Sequence, residues 1–150
     1  MKILMLHGVN ADMFPYRNPS YYGSATLEQV NARLQEEAKA LQVQLECYHS
    51  NYAGALVEKI HQAFFDQTDA VIINPGGFTN CDCGIKEALA ILRVPIVEVH
   101  MANLFQKKQG NPQGITTQTA TAVLMGLQID TYPLALRAAV TLAAKEKETQ

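Results

Sequence analysis

The chain has 150 residues, of which 48% are hydrophobic and 17% charged, and its formal net charge is -2. That length suits a single compact domain whose core needs neither disulfides nor a metal, and the mildly acidic balance leaves no basic surplus to neutralise a phosphate backbone. Nucleic acid is therefore not an expected partner, and no run reaches the roughly 18 apolar residues that would cross a bilayer, so no membrane partner is expected either.

KILMLHG reads as a short buried strand that ends in a glycine turn. Its apolar part is too short for a signal-peptide core and carries no small-residue cleavage site. With three cysteines, Cys47, Cys81 and Cys83, one is left over from any pairing, which fits a reducing compartment, and a cytoplasmic location is the expectation. Residues 9–25 form a connection longer than the usual strand-to-helix loop and are read as a functional loop. Thr26 and Gln29 fit a capping box, and Leu27, Val30, Leu34, Ala38 and Leu41 then recur at helical spacing, which predicts a helix over 26–41.

VQLECYH alternates as a second strand, and Leu56, Ile60, Ala63 and Phe64 mark a second helix that stops near Thr68. AVIIN is a third strand, apolar enough to be covered on both faces, broken by PGG. A helix around 85–92, the strand PIVEVH, a fifth strand within 119–125 and a terminal helix over 131–145 complete the chain. Strand and helix alternate without repeat or linker, which predicts an α/β doubly wound parallel sheet of five strands, in three layers.

Ligands of such sheets bind beyond the carboxyl ends of the strands. Those ends place His7 to Asn10, Ser50 and Asn51, Asn74 to Gly77, and Glu98 to Asn103 around one crevice, with His7 and His49 as candidate wall residues. No Rossmann or P-loop fingerprint follows the first strand, and NPGG is only a weak anion-cradle signal. Cys81 and Cys83 lack the second ligand pair that a closed zinc site needs, so they are read as reduced thiols.

Glu98 and His100 lie two residues apart on one strand, so their side chains share a face. A carboxylate beside an imidazole orients it and makes a proton donor of it; the alternative is a structural histidine bonded at a sheet edge. Arg17 and Tyr22 in the loop PYRNPSYYG offer a phenol beside a guanidinium; the alternative is a decorated surface flap. A base on a loop, an acid at the fourth strand, and the amides of Asn10 and Asn74 together make the layout of a proton-abstraction enzyme.

In order and with matching spacing, HGVN (7–10), RNPSYYG (17–23), INPGGFTN (73–80) and EVHMAN (98–103), with SNYAG and the C-terminal LALRAA, resemble the type II (class II) 3-dehydroquinate dehydratases over nearly the whole chain. The resemblance implies a flavodoxin-like fold, one dehydroquinase-like domain over 1–150, and a lyase that eliminates water anti through an enolate with no metal or organic cofactor. Tyr22 would be the base, as phenolate favoured by Arg17; His100, oriented by Glu98, would be the acid; Asn10 would hold a water at the enolate. Asn74 and the backbone amides of Met101 and Ala102 match groups that hold the small cyclic acid substrate. The implied assembly is a homo-oligomer, a dodecamer of trimers in which Glu87 reaches a neighbour's site. Shikimate-pathway biosynthesis of aromatic amino acids and quinate catabolism both use this chemistry.

Three positions depart from the family pattern. Asn80 stands where the family has a histidine, Ala102 where it has a serine, and Asn111 near its substrate-binding arginine. In the second lid, QKKQGNPQG, only Lys107 and Lys108 keep positive charge. Three readings follow: a dehydroquinate dehydratase, a family member acting on another small cyclic keto or hydroxy acid as dehydratase or isomerase, or a catalytically silent homologue that binds a metabolite.

Overall fold

AVIIN and IVEVH are buried at every position, as strands covered on both faces must be. They form β3 (Ala70–Asn74) and β4 (Ile96–His100), which join β1 (Lys2–His7), β2 (Gln44–His49) and β5 (Ala122–Met125). In the computed structural model, which describes residues 1–149, the five strands make one parallel sheet in the order β2-β1-β3-β4-β5.

Side chains alternate along each strand and so build two cores. Ile3, Met5, Ile72, Val97 and Val99 face one way and pack against α2 (Leu27–Ala40) through Val30 and Leu34, and against α5 (Thr131–Thr149) through Tyr132 and Leu136. Leu4, Leu6, Val71, Ile73 and Ile96 face the other way, onto Leu56 and Ile60 of α3 (Ala53–Phe65) and Ile85 and Leu89 of α4 (Cys83–Ile91). Fully burying each large aliphatic side chain contributes about 1.5–3 kcal/mol, so both helix layers are held by the same mechanism. The expected three-layer doubly wound sheet is what forms.

The capping box is complete: Gln29 N–H donates to Thr26 Oγ1 at 3.1 Å, and Thr26 N–H to Gln29 Oε1 at 2.9 Å. The connection over 9–25 holds a 3-10 turn (Ala11–Tyr16) and a short helix, α1 (Pro19–Tyr22). Three local expectations are corrected. The fifth strand begins at Ala122, because Thr116–Thr119 closes into a 3-10 turn in which Thr119 Oγ1 donates to the Thr116 carbonyl at 2.7 Å. Phe64 points outward, 42% exposed, because Ile60 and Ala63 already fill the inward face of α3. The terminal helix runs on to Thr149.

β1 ends on His7, whose ring has no exposed surface; Nε2 meets Asn31 Oδ1 at 2.7 Å and Nδ1 has no partner. Burial, opposed by the Asn31 contact and reinforced by His49, pushes its pKa from 6.5 down to about 4. The unfolded chain binds this proton near pH 6.5 and the folded chain does not, so stability is full above that value and declines as the pH falls through it towards the folded one. Urea unfolding near pH 7.5 and near pH 5 is expected to show the wild type losing about 2 kcal/mol more over that interval than His7→Gln. Equal losses would remove His7 as the cause.

Candidate active site

The site begins with two loops that interlock. Gly8 N–H donates to the Asn74 carbonyl at 2.7 Å, and a Cβ at residue 8 would lie 2.3 Å from the Pro75 oxygen. At Gly76, where φ is +58°, a Cβ would come 2.5 Å from the Val9 oxygen. Only glycine permits this approach. The first glycine of NPGG thus serves loop packing, and the loops after β1 and β3 together floor a cavity of about 140 Å³.

The first lid is shaped by its own capping residues. Asn18 Oδ1 accepts the Ser20 N–H at 3.0 Å, Pro19 occupies the first helical position, and α1 results. That turn drives Tyr22 inward to 8% exposure, where its ring stacks on Phe14 with centroids 6.1 Å apart. Arg17 lies over the ring face, its guanidinium carbon 3.9 Å from the centroid. Lys107 from the second lid reaches the hydroxyl itself: Nζ donates to Tyr22 Oη at 2.5 Å. Two cations thus address one phenol, one over its face and one at its oxygen. Tyr21, which no motif explains, stands edge-on to Tyr22 with centroids 6.4 Å apart and 5.8 Å from Lys107 Nζ, so it helps enclose the pair.

His100 lines the same cavity and is 7% exposed. Its Nε2 meets Glu98 Oε1 at 2.7 Å, as their shared strand face requires. Asn74 also lines the cavity, but its carboxamide is engaged: Nδ2 donates to the Tyr132 hydroxyl at 2.7 Å and Oδ1 accepts from Gly76 N–H at 3.1 Å. Met101 and Ala102 close the wall just past β4, and their N–H groups make none of the loop backbone hydrogen bonds found among the described residues. Asn80 and Asn111 meet across the wall, Asn111 Nδ2 donating to Asn80 Oδ1 at 3.0 Å.

Some sequence candidates stand outside the cavity. Asn10 is in the left-handed region, φ 64°, with its backbone N–H on Asn51 Oδ1 at 2.8 Å. Glu87 is exposed on α4. His7 and Ser50 are buried away from the cavity wall, and His49 lies 3.7 Å from Asp12. Cys81 and Cys83 are exposed free thiols, and among the described residues no three His, Cys, Asp or Glu side chains group to hold a metal. No helix of the described residues is long and apolar enough to cross a membrane.

Lys107 is a cavity residue to which sequence reasoning gave no role. Its partner is 85 residues away, and the only local signal was surviving positive charge in the second lid. Thr116 and Thr117, which donate to Glu98, carried no signal at all.

Comparisons with known proteins identify the family. The family described as dehydroquinase class II matches residues 1–140. A 3-dehydroquinate dehydratase of Syntrophotalea carbinolica is 40% identical over 97% of this chain and 98% of the relative, and one of Pelobacter propionicus is 41% identical over 94% and 95%. The crystal structure of a type II dehydroquinase from Butyrivibrio crossotus superposes with a TM-score of 0.89 at 30% identity, covering 93% of this chain and 97% of that one. With this match along the sequence and this shared fold, the chain belongs to the dehydroquinase class II family.

Proposed function

We propose that the chain is a hydro-lyase that eliminates water from 3-dehydroquinate, with Tyr22 as base and His100 as acid. One observation carries the assignment: a phenol held by two cations and an imidazole backed by a carboxylate line one small cavity. Tyr22, as phenolate, takes the proton from the carbon between the ketone and the carbon bearing the departing hydroxyl, and the electron pair moves onto the ketone oxygen as an enolate. Collapse of the enolate breaks the carbon–oxygen bond while His100 gives its proton to the leaving oxygen. The products are water and a conjugated enone; Tyr22 ends protonated and His100 neutral, and exchange with solvent restores both.

The remaining groups receive roles in the same scheme. Arg17 and Lys107 hold the negative charge of the base. Asn10, just outside the cavity between the lining residues Val9 and Ala11 and with a carboxamide that makes no bond among those found in the described residues, positions a water that reaches in to the enolate oxygen, and the Met101 and Ala102 N–H groups receive the substrate carboxylate. Asn74, Asn80 and Asn111 form the polar wall for ring hydroxyls. Glu87, exposed and remote from its own cavity, serves a neighbouring subunit of a trimer-based dodecamer; gel filtration that returns a monomer would remove that role.

A second reading is favoured by the Asn80–Asn111 bond, since two amides joined by one hydrogen bond read hydroxyls differently from a histidine and an arginine. Together with Ala102, this points to a related small cyclic keto or hydroxy acid. Each missing contact to a buried substrate group costs about 1–3 kcal/mol, enough to move preference by one to two orders of magnitude.

Ultraviolet detection of the enone from dehydroquinate decides between them. Turnover is expected, with Tyr22→Phe and His100→Ala each lowering kcat by about 10²–10⁴-fold. No turnover at high enzyme concentration would remove the first reading. A thermal-shift screen of cyclic acids would then separate the second, in which the stabilising ligand is converted, from a silent metabolite binder, in which it is not. Lys107→Met is expected to lower kcat about 10- to 100-fold while the melting temperature stays near that of the wild type. An unchanged kcat would contradict its place on the base.

A further inference from the structure

A buried carboxylate needs its lone pairs filled, and Glu98, with no exposed surface, fills them from two elements. On its own strand His100 Nε2 meets Oε1 at 2.7 Å. From the 3-10 turn before β5, Thr117 Oγ1 donates to Oε1 at 2.6 Å and Thr116 Oγ1 to Oε2 at 2.8 Å. A hydroxyl has a single proton, so with its own committed to Glu98 Thr116 is the acceptor in its 2.9 Å contact with Thr79 Oγ1. The hydrogen bonds thus run without a break from Thr79 in the cavity wall, through Thr116 and Glu98, to His100.

The turn is locked onto this chain by backbone. Ile115 N–H donates to the Thr79 carbonyl at 2.6 Å, and a Cβ at Gly114 would lie 1.8 Å from Thr79 Oγ1. The segment lies this close only because residue 114 has no side chain. Thr116 is itself fully buried, which marks its hydroxyl as built into the site rather than incidental.

We propose that Thr116 and Thr117 are positioning residues for His100: by holding Glu98 as a fixed, acceptor-only partner they keep the proton of Nε2 against the carboxylate and turn Nδ1, the proton-donating nitrogen, to the substrate. This rests on the reading of His100 as the acid. A carboxylate released from both hydroxyls is free to rotate, and Nε2 then loses its fixed acceptor. The imidazole would then exchange its tautomers, and the cavity would face a nitrogen of mixed character. The other charged or titratable groups around the cavity are Tyr22, Arg17 and Lys107, and none of these contacts Glu98.

The test follows the His100 ring nitrogens by NMR, with kcat and KM across pH, in Thr116→Val, Thr117→Val, the double variant and Thr116→Ser. The wild type and Thr116→Ser are expected to carry the Nε2–H tautomer when the ring is neutral. The valine variants are expected to show mixed tautomers, a kcat lower by about 3- to 30-fold, and an almost unchanged KM. A folded double variant with the wild-type tautomer and kcat would overturn the proposal; if the double variant does not fold, the same result in Thr117→Val, at a half-buried position, would do so. Because the NMR signal does not need turnover, a wild type inactive on dehydroquinate but with the tautomer shift in its variants would refute the assigned reaction alone.

Discussion

The hydrogen bond from Lys107 to Tyr22 is the contact on which the site depends, because it joins two lids that share no local structure. One lid leaves β1 and the other leaves β4. They meet because both strands flank β3 in the order β2-β1-β3-β4-β5, so both connections overhang the end of the central strand. The cavity forms between that overhang and the interlocked loops around Gly8 and Gly76. Sheet topology thus brings Tyr22 and His100, 78 positions apart in the chain, to one cavity.

On the His100 side, a charge is placed at the expense of the core. Glu98 points to the same face of β4 as Ile96, where the neighbouring strands contribute Leu6 and Ile73. A charge taken from water into that layer carries a desolvation cost of several kcal/mol unless it is paired and hydrogen-bonded. His100, Thr116 and Thr117 supply those bonds. A larger aliphatic residue would fill the space at lower cost, so the carboxylate is explained by the ring it orients.

What the sequence made legible was what recurs along the chain or pairs within a few residues. Period-two and period-3.6 patterns exposed the strands and the longer helices, the Thr26–Gln29 box marked the start of α2, and the i, i+2 relation of Glu98 and His100 delivered that hydrogen-bonded pair. The turn that orients Tyr22 was missed because α1 is only four residues long, too short for any period, and is announced solely by the Asn18-Pro19 cap. The start of β5 was misplaced because β-branched threonines suit a strand yet here spend their hydroxyls on a turn and on Glu98. Partners such as Lys107 for Tyr22, or Tyr132 for Asn74 across 58 residues, are set by topology and leave no trace in local spacing.

The lids and the strand ends place Tyr22 and His100 on different elements, and their proposed division into base and acid is the central claim about the chemistry. Dehydroquinate deuterated stereospecifically at the carbon next to the ketone tests it most directly. Loss to solvent of the hydrogen anti to the departing hydroxyl is expected. Loss of the syn hydrogen would contradict a two-sided site with Tyr22 as base and His100 as acid.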